Sequence, residues 1–155
     1  MPPIARRADD TDRSAWDAFI ASRPEADLLQ AWGWGECTAL AGEIPSRILV
    51  EDGGRIRGVA QVLMRPTVLG RQVAYVPHGP IWDRSAPDAD RIFAWLMQGL
   101  RTLARREKAI VAKVDPRAEP GEVLDFASLA AEHGLRRAPD LQAPTTRIVA
   151  LSRMA

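Results

Sequence analysis

The sequence predicts one mixed α/β domain, a single sheet with helices packed on both faces. Three observations predict it. The chain has 155 residues, 46% hydrophobic and 26% charged, which is the size and balance of one packed core. Two strand-like segments flank Asp52, Gly53 and Gly54, a turn whose glycines accept positive φ, so they read as an antiparallel hairpin. A later strand, helix and strand read as a crossover, and hairpin and crossover together make one mixed sheet.

The elements follow in chain order. Ser14 is placed to cap a helix with Asp17 three residues on; Trp16, Phe19 and Ile20 share its inner face, and Ser22, Arg23 and Pro24 stop it. A second helix is expected over Ala31 to Ala41, where Trp34, Cys37 and Ala41 fall at helical spacing and Gly42 offers an exit. The hairpin strands are Arg47 to Glu51 and Arg55 to Arg65, closed by Pro66, and a third strand is Arg71 to Val76. A long helix beginning near Asp88 carries Ile92, Trp95, Leu96, Leu100 and Leu103 on one stripe. Ala109 to Val114 is short and apolar, the pattern of a buried central strand, and Asp115 and Pro116 break it. A last helix over Gly121 to His133, ended by Gly134, precedes a final strand over Thr145 to Leu151. No internal repeat and no low-complexity linker divides the chain.

Bulk properties exclude several classes. The 21 basic and 20 acidic side chains nearly cancel, so no chain-wide field favours nonspecific nucleic-acid or membrane binding. One cysteine cannot form an internal disulfide, and with two dispersed histidines it leaves no recognisable set of metal ligands. The opening MPPIARRADDTDRSAW has no apolar stretch for a signal peptide, and no run reaches the length of a membrane span. A soluble protein of the reducing cytoplasm is expected.

Tyr75 to Asp83, YVPHGPIWD, is the most informative stretch. It lies between a strand and a long helix, a place where backbone N–H groups and a helix dipole can meet an anion. Gly79 permits close backbone approach, and Pro77 and Pro80 stiffen the loop. Two readings stay open there, a ligand-holding corner and a rigid connector. Trp16, Trp95 and Phe126 read as core and Cys37 as a small buried filler. Trp32 and Trp34 read as core or as cleft wall, because Gly33 and Gly35 weaken the helix around them. His78 is a phosphate contact or an exposed loop residue, and His133 is placed to cap a helix C-terminus. Arg101 to Lys108 fits the solvated face of an amphipathic helix better than a tRNA contact.

The order of elements resembles the fold of the GCN5-related N-acetyltransferases (GNAT), whose equivalent loop binds the pyrophosphate of coenzyme A. Here that loop holds Pro77 and Pro80, and proline lacks the N–H that a phosphate cradle needs. The fold is therefore expected without ordinary acetyl-CoA binding. Four segments are similar, in order, to those of the Fem-type (FemABX) peptidoglycan bridge-forming aminoacyltransferases. Leu29 to Gly35, LQAWGWG, matches the family's early Gln-Ser-x-x-Trp segment at Gln30 and Trp34. Tyr75, Pro77, Gly79, Pro80 and Asp83 match its Tyr-x-Pro-x-Gly-Pro-x-x-Asp loop. Lys113 to Pro116, KVDP, and Gln142 to Leu151, QAPTTRIVAL, match its Lys-x-Asp-Pro strand end and its Gln-x-Pro-x-Thr lead into a strand.

That resemblance implies a cytoplasmic aminoacyltransferase with a GNAT-like fold, working without cofactor or metal, with peripheral attachment to the inner face of the membrane as an alternative. Its donor would be aminoacyl-tRNA. Its acceptor would be the stem peptide of a peptidoglycan precursor, UDP-MurNAc-pentapeptide or a lipid-linked form. Residues 1–155 would be the first of two GNAT-like domains, with the second absent from this sequence, as in a fragment, a split subunit or a degenerate relative. Tyr75, His78, Gly79, Thr38 and Trp34 would contact the precursor, with Thr38 standing where the family often has a phosphate-pairing lysine. Asp83 would be catalytic, accepting a proton or a hydrogen bond from the acceptor amine, with helix capping as the competing role. A GNAT-like N-acyltransferase using another acyl donor on a small amine, and a non-catalytic half that pairs with a second domain, are the alternatives.

Overall fold

The computed structural model describes residues 4–117 and 126–139. In order they form β1 (Ile4–Arg7), α1 (Arg13–Ala21), α2 (Trp32–Ala39), β2 (Ile44–Asp52), β3 (Arg55–Pro66), β4 (Gln72–Val76), β5 (Ile81–Trp82), α3 (Ala89–Arg106), β6 (Ala109–Val114) and α4 (Phe126–Glu132). The predicted hairpin is β2 and β3, turning on Gly53 and Gly54 at φ 57° and 79°. Its strands are longer than expected because Ile44 pairs with Met64 and carries the ladder three residues further back than Arg47.

The described sheet runs β1-β2-β3-β4-β6, with β5 beside β3. Its pairs are antiparallel except β4 with β6, which are parallel, as the intervening α3 crossover requires. Alternation along the hairpin divides the core in two. Ile48, Val50, Ala60, Val62 and Met64 face α3, with Ile92, Phe93, Leu96 and Leu100, and Leu129 of α4 joins them. Leu49 and Val59 face the other way, onto Trp16 and Ile20 of α1 and Trp32 of α2. Helices thus cover both faces, and the mixed α/β class expected from the sequence is the one found.

Several local expectations are corrected. The first helix is not capped by Ser14. Asp9 accepts from Thr11 N at 2.9 Å and Asp12 accepts from Asp9 N at 2.9 Å, a capping box that starts a 3-10 turn running into α1. Asp17 instead accepts from Trp32 N at 2.9 Å and joins α1 to the start of α2. Among the described residues β6 pairs only with β4, and the strand expected over Thr145 to Leu151 lies outside them. β6 lies at the edge of the described sheet, with Ile110 56% and Val111 51% exposed.

Cys37 is exposed, because it lies on the outer side of the short α2. Phe93 fills the core position on α3, and Trp95 is half-buried at its margin. Gly134, at φ 65°, ends α4 as expected, with its N–H on Ala131 O and that of Leu135 on Ala130 O. His133 does not cap that end with its side chain; its ring lies 5.3 Å from Phe93. The expected strand over Thr145 to Leu151 and the first residues of the expected helix over Gly121 to His133 lie outside the described residues.

Candidate functional site

The site begins as a gap in the sheet. On its free side β3 pairs with β4 from Leu63 to Pro66 and with β5 at Gly58 and Val59. Between them the chain leaves the ladder as Pro77, His78, Gly79 and Pro80, which carries a cis Gly79–Pro80 bond, and returns at Ile81. Gln61 would then have a buried N–H and C=O without a strand partner, which folded proteins avoid. The side chain of Gln30 fills the place. Its Oε1 accepts from Gln61 N at 2.8 Å, and its Nε2 donates to Pro77 O at 2.6 Å and, more weakly, to Gln61 O at 3.5 Å.

Gln30 is fully buried, and a Cβ on Gly79 would come within 2.6 Å of its amide, so the corner closes only over glycine. The segment that delivers Gln30 is itself tied to the sheet. Gln61 Nε2 donates to Leu29 O at 3.0 Å and Ala31 O at 2.9 Å, and Trp16 Nε1 donates to Gln30 O at 2.8 Å. Arg47 stacks 3.8 Å over Trp32 and donates to Trp32 O at 2.8 Å and Gln61 Oε1 at 3.1 Å. Its burial pushes the guanidinium pKa down, yet arginine stays charged at any physiological pH.

Charged groups surround the corner. Asp115 N donates to Gly79 O at 3.1 Å, and Tyr75 Oη donates to the Asp115 carboxylate at 3.0 Å. Tyr75 is wholly buried, with Arg65 4.8 Å above its ring, and its phenol reaches out to the half-buried Asp115. His78 sits at φ 46° and hydrogen-bonds Asp27 through Nδ1, and Arg117 lies 3.8 Å from the same carboxylate. Asp83 accepts from Ser85 Oγ at 2.7 Å and pairs with Arg23 at 3.2 Å. Ser85 and Arg23 hold its carboxyl below the usual range despite some burial. Asp83 does not cap α3; the helix begins later, at Ala89.

Of the residues singled out in the sequence, Tyr75, His78 and Gly79 share this corner, while Asp83 lies beyond β5 with Arg23 and Ser85. Trp34 and Thr38 lie on α2. Trp34 lines an apolar groove of about 590 Å³ with Leu28 and Ala31, which flank Gln30, and Thr38 donates to Gly35 O at 3.1 Å. The sequence did not reveal Gln61, Arg47, Asp27 or Arg23, whose parts in the corner depend on partners distant in the chain. Asp115 was visible as the end of the KVDP segment, but not its bond to Tyr75.

The fold gives the class: the chain has the GNAT-like fold. A Trypanosoma brucei acetyltransferase shares the fold at TM-score 0.60 and 16% identity, covering 93% of this chain and 99% of that one. A more specific relationship runs to Fem-type transferases. The crystal structure of FemX matches at TM-score 0.73 and 30% identity over 83% of this chain and 31% of its own. The Lipid II:glycine glycyltransferase of Staphylococcus aureus is 36% identical over 104 residues, 66% of this chain and 24% of that protein. The Fem-type resemblance carried by the Gln30, Tyr75 and Lys113 segments is therefore found in sequence and in fold. The chain spans about a quarter of the length of the curated relatives it matches. No family model matches it.

Proposed function

We propose that this chain supplies the acceptor-binding domain of an aminoacyltransferase, which passes an amino acid from aminoacyl-tRNA to the stem-peptide amine of a peptidoglycan precursor. The carrying observation is the corner at Pro77 to Pro80, where prolines remove N–H groups that coenzyme A would need, in a chain related to a protein named for glycyl transfer to lipid II. In this reading His78 and Gly79 contact the precursor at the corner, Tyr75 acts on it through Asp115, and Trp34 and Thr38 extend the contact along α2. Asp83, kept ionised by Ser85 and Arg23, attracts the acceptor ammonium.

Positioning the amine against an aminoacyl ester supplies most of the rate for such a reaction. It needs neither metal nor cofactor. A second GNAT-like unit, on the same or another polypeptide, completes the cleft beyond residues 1–155. The chain works in the cytoplasm, where both substrates are made, or at the inner face of the membrane on the lipid-linked form. Among the described residues no helix is long and apolar enough to cross a membrane.

Isothermal titration with UDP-MurNAc-pentapeptide tests the reading. A binding heat is expected, and its absence even with a second-domain partner present counts against it. A different acyl donor is the competing reading, favoured by the match over nearly the full length of a single-domain acetyltransferase. Saturating acetyl-CoA should leave the melting temperature unchanged if the first reading holds, since a ligand that binds only the native state must raise it.

A further inference from the structure

We propose that His78, oriented by Asp27, is the base that removes the proton from the attacking amine. The inference rests on the acyl-transfer reading above and adds a group to it. Asp83 is poorly suited to the task, because a carboxylate held below its ordinary range has little drive to take a proton. His78 is differently arranged. A carboxylate accepts hydrogen bonds, so His78 Nδ1 donates to Asp27 and carries the proton, which leaves Nε2, on the opposite edge of the ring, with a lone pair.

The orientation is built in rather than incidental. Asp27 Oδ1 accepts from Leu29 N at 2.8 Å, which aims Oδ2 at the imidazole. The backbone of His78 is left-handed, a conformation that costs a non-glycine residue about 1 kcal/mol or more and that concentrates at functional sites. On either side its neighbours are pinned, Pro77 O by Gln30 and Gly79 O by Asp115 N. The side chain keeps 18% exposure, enough for a ligand to reach it.

The charged groups placed against this segment come from both sides of it: Asp27 before α2, which His78 bonds, Arg117 beside Asp27, and Asp115, whose N–H holds Gly79 O. In the step itself the acceptor, its ammonium proton already lost to solvent, attacks as the neutral amine: its nitrogen forms a bond to the ester carbonyl carbon while Nε2 takes an N–H proton. The C–O bond then breaks, and the imidazolium returns that proton to the departing alkoxide oxygen, so that amide and alcohol form and His78 is restored. Asp27 is the positioning residue, and its negative charge offsets the transient imidazolium.

Transfer from an aminoacyl ester to UDP-MurNAc-pentapeptide is measured across pH for the wild type, His78→Asn and Asp27→Asn. Asparagine tolerates the left-handed backbone, so the first variant should keep the fold. We expect His78→Asn to lose a factor of about 100 or more in kcat, a larger factor than it loses in precursor affinity, and to lose the acid limb of the kcat/KM profile. Asp27→Asn should lose activity through the wrong tautomer. Added imidazole should restore part of the rate of His78→Gly. Equal rates and pH profiles in wild type and His78→Asn overturn the proposal, while a missing binding heat in the wild type overturns the acceptor reading instead. Long-range nitrogen-15 spectra of the unliganded wild type decide independently of turnover: a proton on Nδ1 and a bare Nε2 are expected, and a neutral ring protonated on Nε2 overturns it.

Discussion

Gln30 does at this corner what a neighbouring strand does elsewhere in the sheet, since its amide carries one donor and one acceptor in the geometry of a peptide group. Gln30→Leu keeps the volume but leaves Gln61 N–H and Pro77 O buried without partners. It should cost about 1–3 kcal/mol per orphaned group in urea unfolding. Gly79→Ala brings a methyl within 2.6 Å of the same amide and should cost about 1–3 kcal/mol by overpacking. Asp83 gives a prediction in pH. Ser85 first, then Arg23, keep its carboxyl below the ordinary 3.8, so the stability it contributes is complete above that value and fades as pH falls through the lower folded value. Asp83→Asn should therefore flatten the acid side of the melting-temperature profile, followed by calorimetry between about pH 2 and pH 6. The loop residues themselves were legible, because prolines, glycine and an aromatic cluster in one short run. Their partners were not: Asp27 stands 51 residues from His78 and Gln61 31 residues from Gln30, and only the folded sheet brings them together.

Among the elements, the β2–β3 hairpin was plain because its glycine turn and its flanking strands agree. β1 and β5 were missed, being four and two residues long with no alternation to reveal them. β6 was found where its apolar run predicted a strand, and in the described sheet it has a partner only in β4. Ile110→Thr, at a position 56% exposed among the described residues, should cost less than about 0.5 kcal/mol. Leu96→Ala, on the buried face of α3, should cost about 2–5 kcal/mol, and paired urea titrations compare the two. The start of α1 differs from expectation, since Asp9 and Asp12 satisfy each other's neighbouring N–H groups better than Ser14 can satisfy its own.

At the scale of the whole molecule, class and relationship were legible because they rest on element order and on motifs kept in sequence, both of which survive large changes in side chains. The two cores share β2 and β3, so neither can melt alone without exposing the back of the other. Trp16→Phe and Phe93→Leu, one on each side, should each lower a single unfolding midpoint that tryptophan fluorescence and far-ultraviolet circular dichroism report alike. The interrupted ladder has a last consequence. One buried amide joins the approach to α2, the middle of β3 and the turn after β4, so none of these can swing without dragging the others. A visiting molecule meets a receptor already set in shape, and little of its binding energy is lost to ordering the protein. Discrimination among visitors then falls to whether they fit that fixed outline, not to how far the outline yields.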